Sequence, residues 1–175
     1  QPLGNLRVRR GAGVRIDALL NLTDALEVSS SSDLALAANR LTAATIEVKS
    51  SSIITNLFTT ASAFFKVDLS ANTVTVDATS SIDVTGRGFL GGGQVGNPFI
   101  GDGMTVGFQR GALGDSGGSY GCLGGGSTSN PGYGDFRDPN DPGSGGSTTS
   151  NTAAGSGGGL VRIVAQTIQL DGSIV

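Results

Sequence analysis

The acidic residues in the glycine-rich half of the chain are its clearest candidates for binding a cation. The run Asp138-Pro139-Asn140-Asp141-Pro142-Gly143 begins like a calcium-binding loop, and Asp135 precedes it. Ca²⁺ prefers clustered carboxylate and carbonyl oxygens. The run lacks a ligand at its fifth position and a terminal Glu, so an EF-hand is excluded. Asp135, Asp138 and Asp141 are therefore kept as a looser candidate calcium site, with an Asx/Pro turn as the competing interpretation.

Two further motifs match known catalytic or cofactor-binding patterns without their required context. Gly114-Asp115-Ser116-Gly117-Gly118 matches the sequence around the nucleophile of trypsin-like serine proteases, but the chain contains no histidine to serve as the base. Gly86-Arg87-Gly88-Phe89-Leu90-Gly91 fits the dinucleotide fingerprint, but residues 92–98 cannot form the helix that would bind the pyrophosphate. We predict that the chain is not an enzyme and has neither a catalytic residue nor a cofactor.

The remaining charged residues favour no catalytic cluster and no nucleic-acid partner. The candidates for a carbohydrate-cleaving site are dispersed over the predicted faces, as satisfied surface charges would be: Asp68, Asp77, Asp83, Lys66 and Arg87. The net charge is −3, which gives no electrostatic case for nucleic acid. The single cysteine, Cys122, excludes an intrachain disulfide. No apolar run has transmembrane length, so we expect no membrane insertion.

An apolar-x-apolar unit recurs along the chain and predicts the elements that position these residues. Leu6-Arg7-Val8, Leu26-Glu27-Val28 and Ile46-Glu47-Val48 begin 20 residues apart, and two later copies begin at Val74 and Ile168. Alternation with β-branched residues indicates short strands whose inward residues stack. The pattern predicts an all-β fold, a right-handed parallel β-helix (β-solenoid, about 20 residues per coil) with a long glycine-rich insertion.

The predicted coils place outward residues in rows. We expect one row of Arg7, Glu27, Glu47, Thr75 and Gln169; a second of Asn21, Thr42, Asp68 and Arg162; and a third of Arg15, Ala35 and Asp83. An ice-binding face would need repeated threonines, and only Thr73 and Thr75 form a Thr-x-Thr pair. A competing interpretation makes residues 33–41 and 59–66 helical.

Glycine is distributed unevenly, and its distribution predicts the domain organisation. Residues 86–159 hold 26 of the 30 glycines. We expect β-solenoid coils over 1–85, a glycine-rich insertion over 86–159 that packs on or loops from the solenoid, and a resumed coil over 160–175. The insertion contains several aromatic residues, which favours an ordered layer with close backbone approach; a mobile loop is the alternative.

Residues 155–175, 80–91 and 117–121 carry a resemblance to a known group of proteins. Their glycine-rich sequences resemble the pectate-lyase-like parallel β-helix repeats of large secreted and cell-surface proteins. The resemblance implies an extended extracellular scaffold.

These observations predict a non-catalytic extracellular or cell-surface structural or adhesive protein. We expect a homo-oligomer or polymer, a subunit or segment of a surface filament assembled by end-to-end stacking, because the sequence enters and leaves the predicted coils without caps. Surface glycans are a further expected partner, and Asn21-Leu22-Thr23 is a glycosylation sequon. The alternative is a carbohydrate-active or glycan-binding β-helix module, tailspike-like or lyase-like, and less so an ice-binding solenoid.

Overall fold

The computed structural model describes residues 3–37, 40–150 and 152–175, and these residues fold as an all-β chain. It divides into two compact units. Unit 1 comprises residues 1–57, 66–84 and 161–175, and unit 2 comprises residues 58–65 and 85–160. The strands are β1 Leu6–Val8, β2 Gly13–Ile16, β3 Leu20–Asn21, β4 Ala25–Val28, β5 Asp33–Leu36, β6 Leu41–Thr42, β7 Thr45–Val48, β8 Ile53–Asn56, β9 Val67–Val76, β10 Ser81–Ile82, β11 Met104–Thr105, β12 Gln109–Arg110, β13 Val161–Leu170 and β14 Ser173–Ile174.

Unit 1 contains two parallel sheets. The first is ordered β1-β4-β7-β9-β6-β3, with β13 also paired to β9, and the second is ordered β14-β10-β8-β5-β2. The alternating residues of the strands bury one face of each sheet in a shared apolar core, since side chains alternate along a strand. Its most buried members include Leu26, Leu34, Ile46, Ile54 and Val74, all 0% exposed.

The predicted right-handed parallel β-helix with coils of about 20 residues is wrong as the architecture of this chain. Steps of 20 residues hold from Leu6 to Leu26 to Ile46, but Ile46 pairs with Val74, a step of 28, and Val74 with Ile168, a step of 94. The regular spacing is therefore confined to β1–β8. Residues 58–65 and 85–160 contribute no strand to the two parallel sheets and build a unit with a core of its own.

The helical alternative is wrong as well. Asp33–Leu36 and Leu41–Thr42 are strands, and the described residues contain no α-helix, only one 3₁₀ turn at Val106–Phe108. Residues 38 and 39, in the middle of the alternative helix, lie outside the described residues. Pairing with β2 and β8 on either side gives residues 33–36 a sheet environment that local helix propensity does not overcome.

Four-residue turns join the two sheets, and serine hydroxyls connect successive turns. The N–H of Ala12 donates to Ser32 Oγ at 3.2 Å, that of Ser32 to Ser52 Oγ at 3.2 Å, and that of Ser52 to Ser80 Oγ at 3.1 Å. These buried N–H groups would otherwise lack an acceptor. The serine hydroxyl at the end of the second, third and fourth turns therefore holds its strand layer to the one before it.

The middle of each of the first three turns, residues 9–12, 29–32 and 49–52, lies in the left-handed region of backbone conformation. Ser30 and Ser31 have φ of 61° and 55°, and Ser50 and Ser51 have φ of 58° and 59°. L-residues adopt this conformation at a cost of roughly 1–2 kcal/mol each. The first turn has Gly11 at the position of Ser31, where the conformation is free of that cost.

Unit 2 consists mainly of extended segments that are hydrogen-bonded without forming a sheet. The N–H groups of Gly143, Ser144 and Gly145 donate to the carbonyls of Gly158, Ser119 and Met104, which belong to three different segments. The next three N–H groups, of residues 146–148, donate to the same three segments in the same order, at residues 155, 116 and 101. A three-residue period of donors is the geometry of a polyproline II helix, which has three residues per turn.

Glycine allows this packing because neighbouring backbones surround the central segment closely. A Cβ on Gly145 would lie 2.1 Å from the carbonyl oxygen of Leu90, and one on Gly157 would lie 1.9 Å from that of Gly143. No side chain fits at these distances. An aromatic cluster anchors the unit: Phe89 is fully buried and packs edge-on against Phe64 and Phe108, with centroids 6.0 and 5.7 Å apart.

Candidate functional site

The protease-like motif has a structural role in unit 2. Ser116 is buried, its Oγ accepts from the N–H of Thr128 at 3.1 Å, and its own N–H donates to Ser147 Oγ at 2.8 Å. The Asp115 carboxylate accepts hydrogen bonds from the hydroxyl and from the N–H of Thr149, which lower the pKa of Asp115. Both side chains of the motif therefore fasten neighbouring segments and leave no exposed nucleophile.

The three candidate calcium ligands make local turn contacts. Asp135 Oδ1 accepts from the N–H of Arg137 at 2.8 Å, and Asn140 donates to the carbonyl of Asp138 at 2.9 Å. Within the described ranges, no three His, Cys, Asp or Glu side chains are gathered closely enough to hold a metal ion. The geometry around Asp135 and Asp138 is that of Asx-type turns, and a calcium site including Asp141 stays a prediction.

The dispersed charges of unit 1 have individual partners. The Asp68 side chain is 5% exposed and lies between Arg40 and Lys66, at 3.3 and 3.6 Å. Asp77 accepts from the N–H groups of Ser50 at 2.7 Å and Thr79 at 3.0 Å, and the bond from Ser50 leads the contacts that lower its pKa to about 2. Each carboxylate serves a local structural contact.

Four further residues are candidates from the sequence: Asp83, Arg87, Asn21 and Cys122. Asp83 directly follows β10 in unit 1. In unit 2 the Arg87 guanidinium stacks 3.6 Å from the ring centre of Phe58. Asn21 is exposed at the end of β3, as glycosylation requires, and Cys122 is an exposed free thiol. The sequon stays a prediction.

A cavity of about 580 Å³ lies in unit 2 and carries no titratable side chain. Its lining consists of Gly93, Ile100, Gly101, Thr148, Thr149 and Ser150. The hydroxyls of Thr148 and Ser150 bond to each other at 2.8 Å, and that of Thr149 bonds to Asp115. The lining therefore offers no acid–base pair for hydrolysis.

Three columns of paired apolar residues cross unit 1 and define its two open edges. We name each by its first member: the Leu6 column is Leu6, Leu26, Ile46, Val74 and Ile168; the Val8 column is Val8, Val28, Val48, Val76 and Leu170; the Val14 column is Val14, Leu34, Ile54, Ile82 and Ile174. The strands β1 and β2 form the first edge, and β13 and β14 form the last edge.

The last edge exposes apolar side chains that the inner layers bury. Ile168, Leu170 and Ile174 are 50%, 45% and 40% exposed, whereas the inner members of their columns are all 0–1% exposed. Neither β13 nor β14 has a second partner strand among the described residues, so one side of each presents backbone groups for pairing. This edge has the composition and geometry of an inner layer without the next layer in place.

The first edge is basic. Arg7, Arg9, Arg10 and Arg15 all lie on or beside β1 and β2. Glu27, on the next strand, accepts two hydrogen bonds from Arg9 at 3.0 and 2.7 Å. These bonds, with the hydroxyl of Ser29 and the ammonium of Lys49, hold the pKa of Glu27 at about 2. Arg10 is exposed and adds a further positive charge to the turn.

The last edge carries an acid at the matching position. Residue 171 follows Leu170 as residue 9 follows Val8, so Asp171 belongs to the row of Arg9. Asp171 is exposed and accepts a hydrogen bond from Gln169 at 2.7 Å. Its turn has two residues where the inner turns have four, and Gly172 packs so closely that a Cβ would meet Ser80 O at 2.2 Å.

The predicted outward rows are partly confirmed. Arg7, Glu27, Glu47, Thr75 and Gln169 are paired in sequence across five strands. The second row is wrong beyond its second member, because Thr42 pairs with Ser70 and not with Asp68. Asp68 instead pairs with Arg162 in a separate row.

Comparison with known proteins adds no further assignment. No family model, curated protein or solved structure matches this chain. The part of the chain that the structure describes contains no apolar helix of membrane-spanning length.

Proposed function

We propose that the protein is a non-catalytic structural or adhesive protein that joins copies of itself through the open edges of unit 1, as a subunit or segment of a surface filament. The observation that carries the proposal is the exposure of Ile168, Leu170 and Ile174 in columns whose inner members are buried. Covering these side chains with another layer removes apolar surface from water, which stabilises the association.

The backbone supports the same function. An edge strand with unpaired N–H and C=O groups pairs readily with another strand, and proteins that must stay monomeric protect such edges with charges, proline or a bulge. The strands β13 and β14 contain no proline, and Arg162 is their only charged residue. The composition of this edge is therefore suited to pairing.

An extracellular or cell-surface location belongs to the proposal. It is supported by the resemblance of the glycine-rich segments to those of secreted and surface proteins. The contacts of Ser116 and Asp115 support the non-catalytic part, because they engage the motif that most resembles a catalytic one.

The test measures self-association of the full chain. Sedimentation velocity across a concentration series, with electron microscopy of the same samples, should show linear assemblies that grow with concentration. Ile168→Lys should abolish them by placing a charge in the interface. Val95→Lys is the matched control, because Val95 is 100% exposed and lies in unit 2. A chain that remains monomeric at all concentrations contradicts the proposal.

A further inference from the structure

We infer that the partner on the last edge is the first edge of a second copy, paired in parallel and in the register of the existing columns. This inference rests on the proposed function and specifies its interface. In this register Leu6 of the second copy lies on Ile168, Val8 on Leu170, and Val14 on Ile174. Each column then continues from one copy into the next.

The register follows from how unit 1 already pairs its own strands. Every pairing in the two sheets is parallel, and the pairings of the first sheet that include column residues keep the Leu6 and Val8 columns in one register, as those of the second sheet keep the Val14 column. On their paired side, β1 pairs with β4 and β2 with β5 in this register. Their backbone and side chains therefore already have the shape of one layer. A second copy therefore presents to β13 and β14 the same strand arrangement that the inner layers present to each other.

Charge and strand direction select this pairing over the two symmetric ones. Two first edges in contact would bring together two sets of Arg7, Arg9 and Arg10, of which Arg7 and Arg9 share the single carboxylate of Glu27, and like charges in close contact oppose association. Two last edges related by a twofold axis would pair β13 antiparallel to its copy, which breaks the parallel register of the columns. The first edge on the last edge instead places Arg9 and Arg10 beside Asp171, which lies in the row of Arg9.

The short turn at the last edge accommodates the incoming turn. Residues 9–12 form a four-residue turn with two arginines, whereas only Asp171 and Gly172 join β13 to β14. The shorter turn leaves space for the longer side chains of the incoming one. Asp171 is exposed at this position.

Cysteine cross-linking in a Cys122→Ser background tests the register. Arg7 and Gln169 lie in one outward row, so Arg7→Cys with Gln169→Cys places two thiols on adjacent parallel strands, about 4.8 Å apart. This spacing is within the range of a disulfide. Mild oxidation should convert this double variant into a ladder of covalent polymers. Arg7→Cys with Thr167→Cys is the control for a two-residue slip, and it should give at least tenfold less polymer.

Each outcome separates the register from the association itself. A cross-linked ladder from the 7/169 pair alone supports the inference. Preferential cross-linking of the 7/167 pair overturns the inference while leaving self-association intact. Efficient formation of disulfide-linked dimers by Arg7→Cys alone or Gln169→Cys alone overturns it in the same way. Assemblies by sedimentation with no cross-link in any variant also overturn it. If wild-type chain forms no assemblies, the proposed function itself fails.

Discussion

Gly157→Ala should strongly destabilise unit 2, whereas Gly158→Ala should not. The Cβ added at residue 157 would lie 1.9 Å from the carbonyl oxygen of Gly143, and ordinary contact begins at 3.4 Å. The two segments must therefore separate by about 1.5 Å, the difference between these distances. At residue 158 the added Cβ meets nothing within 4 Å.

The magnitude follows from the hydrogen bonds that such a separation would break. Gly143 N donates to Gly158 O at 2.9 Å, Phe89 N to Gly143 O at 2.9 Å, and Gly146 N to Gly155 O at 3.0 Å. A further 1.5 Å takes any of them beyond hydrogen-bonding distance. With a net contribution of roughly 0.5–1.5 kcal/mol for each bond, losing two or three lowers the free energy of unfolding by roughly 1–4.5 kcal/mol. This is a large part of the stability of a typical domain.

Tyrosine signals provide an assay specific to unit 2. The chain has no tryptophan, and its two tyrosines, Tyr120 and Tyr133, both lie in unit 2 with ring centres 5.3 Å apart. Urea unfolding followed by near-UV circular dichroism therefore measures this unit. Gly158→Ala should unfold within about 0.5 kcal/mol of wild type, because Ala at an unstrained site costs little. Equal midpoints for the two variants would refute the reasoning.

Three further substitutions test the other contacts. Phe89→Ala should lower the free energy of unfolding by about 3–5 kcal/mol in the same tyrosine assay, because it removes a fully buried ring; a loss below 1 kcal/mol would contradict its central position. Ser51→Gly should raise the unfolding free energy of unit 1, followed by far-UV circular dichroism, by about 0.5–1 kcal/mol through relief of its φ of 59°, and Ser51→Ala should give no such gain. Glu27 has a lowered pKa of about 2 in the folded chain and an ordinary value of 4.5, so its contribution is complete above pH 4.5 and lost as the pH falls toward 2. Because its partner Arg9 is exposed, that contribution is at most about 1 kcal/mol, and Glu27→Gln should shrink the difference in urea midpoint between pH 7 and pH 3.

The strands of unit 1 could be predicted from sequence, but their full register could not. The alternation in Leu6–Val8, Ala25–Val28 and Thr45–Val48 identified strands that pair in the expected row. The row through Thr42 was misplaced by two residues at Asp68 because a period-two pattern is unchanged by a shift of two. Only the three-dimensional pairing of Leu41 with Leu69 distinguishes the two registers.

The architecture of unit 2 is beyond what its composition can show. Gly143, Gly145 and Gly146 resemble a flexible linker in sequence, because glycine carries no side chain to create a periodic pattern. Their partners lie in segments far away in the chain, such as Met104 and Gly155. The candidate edges were easier to anticipate, since β13 has the same alternation as the buried strands.

Most of unit 2 lies in sequence between β9 and β13 of unit 1, and this arrangement affects how the chain folds. The strand β13 pairs with β9 across a separation of 94 residues, a slow contact to form from an open chain. Residues 88 and 157, near the entry and exit of unit 2, are joined by a hydrogen bond of 2.8 Å. If unit 2 folds first, it shortens the loop to be closed from about 90 residues to about 25, which lowers the entropic cost of closure by roughly 1 kcal/mol. The glycine-rich unit would then act as an intramolecular clamp that prepares the last strands of unit 1 for pairing.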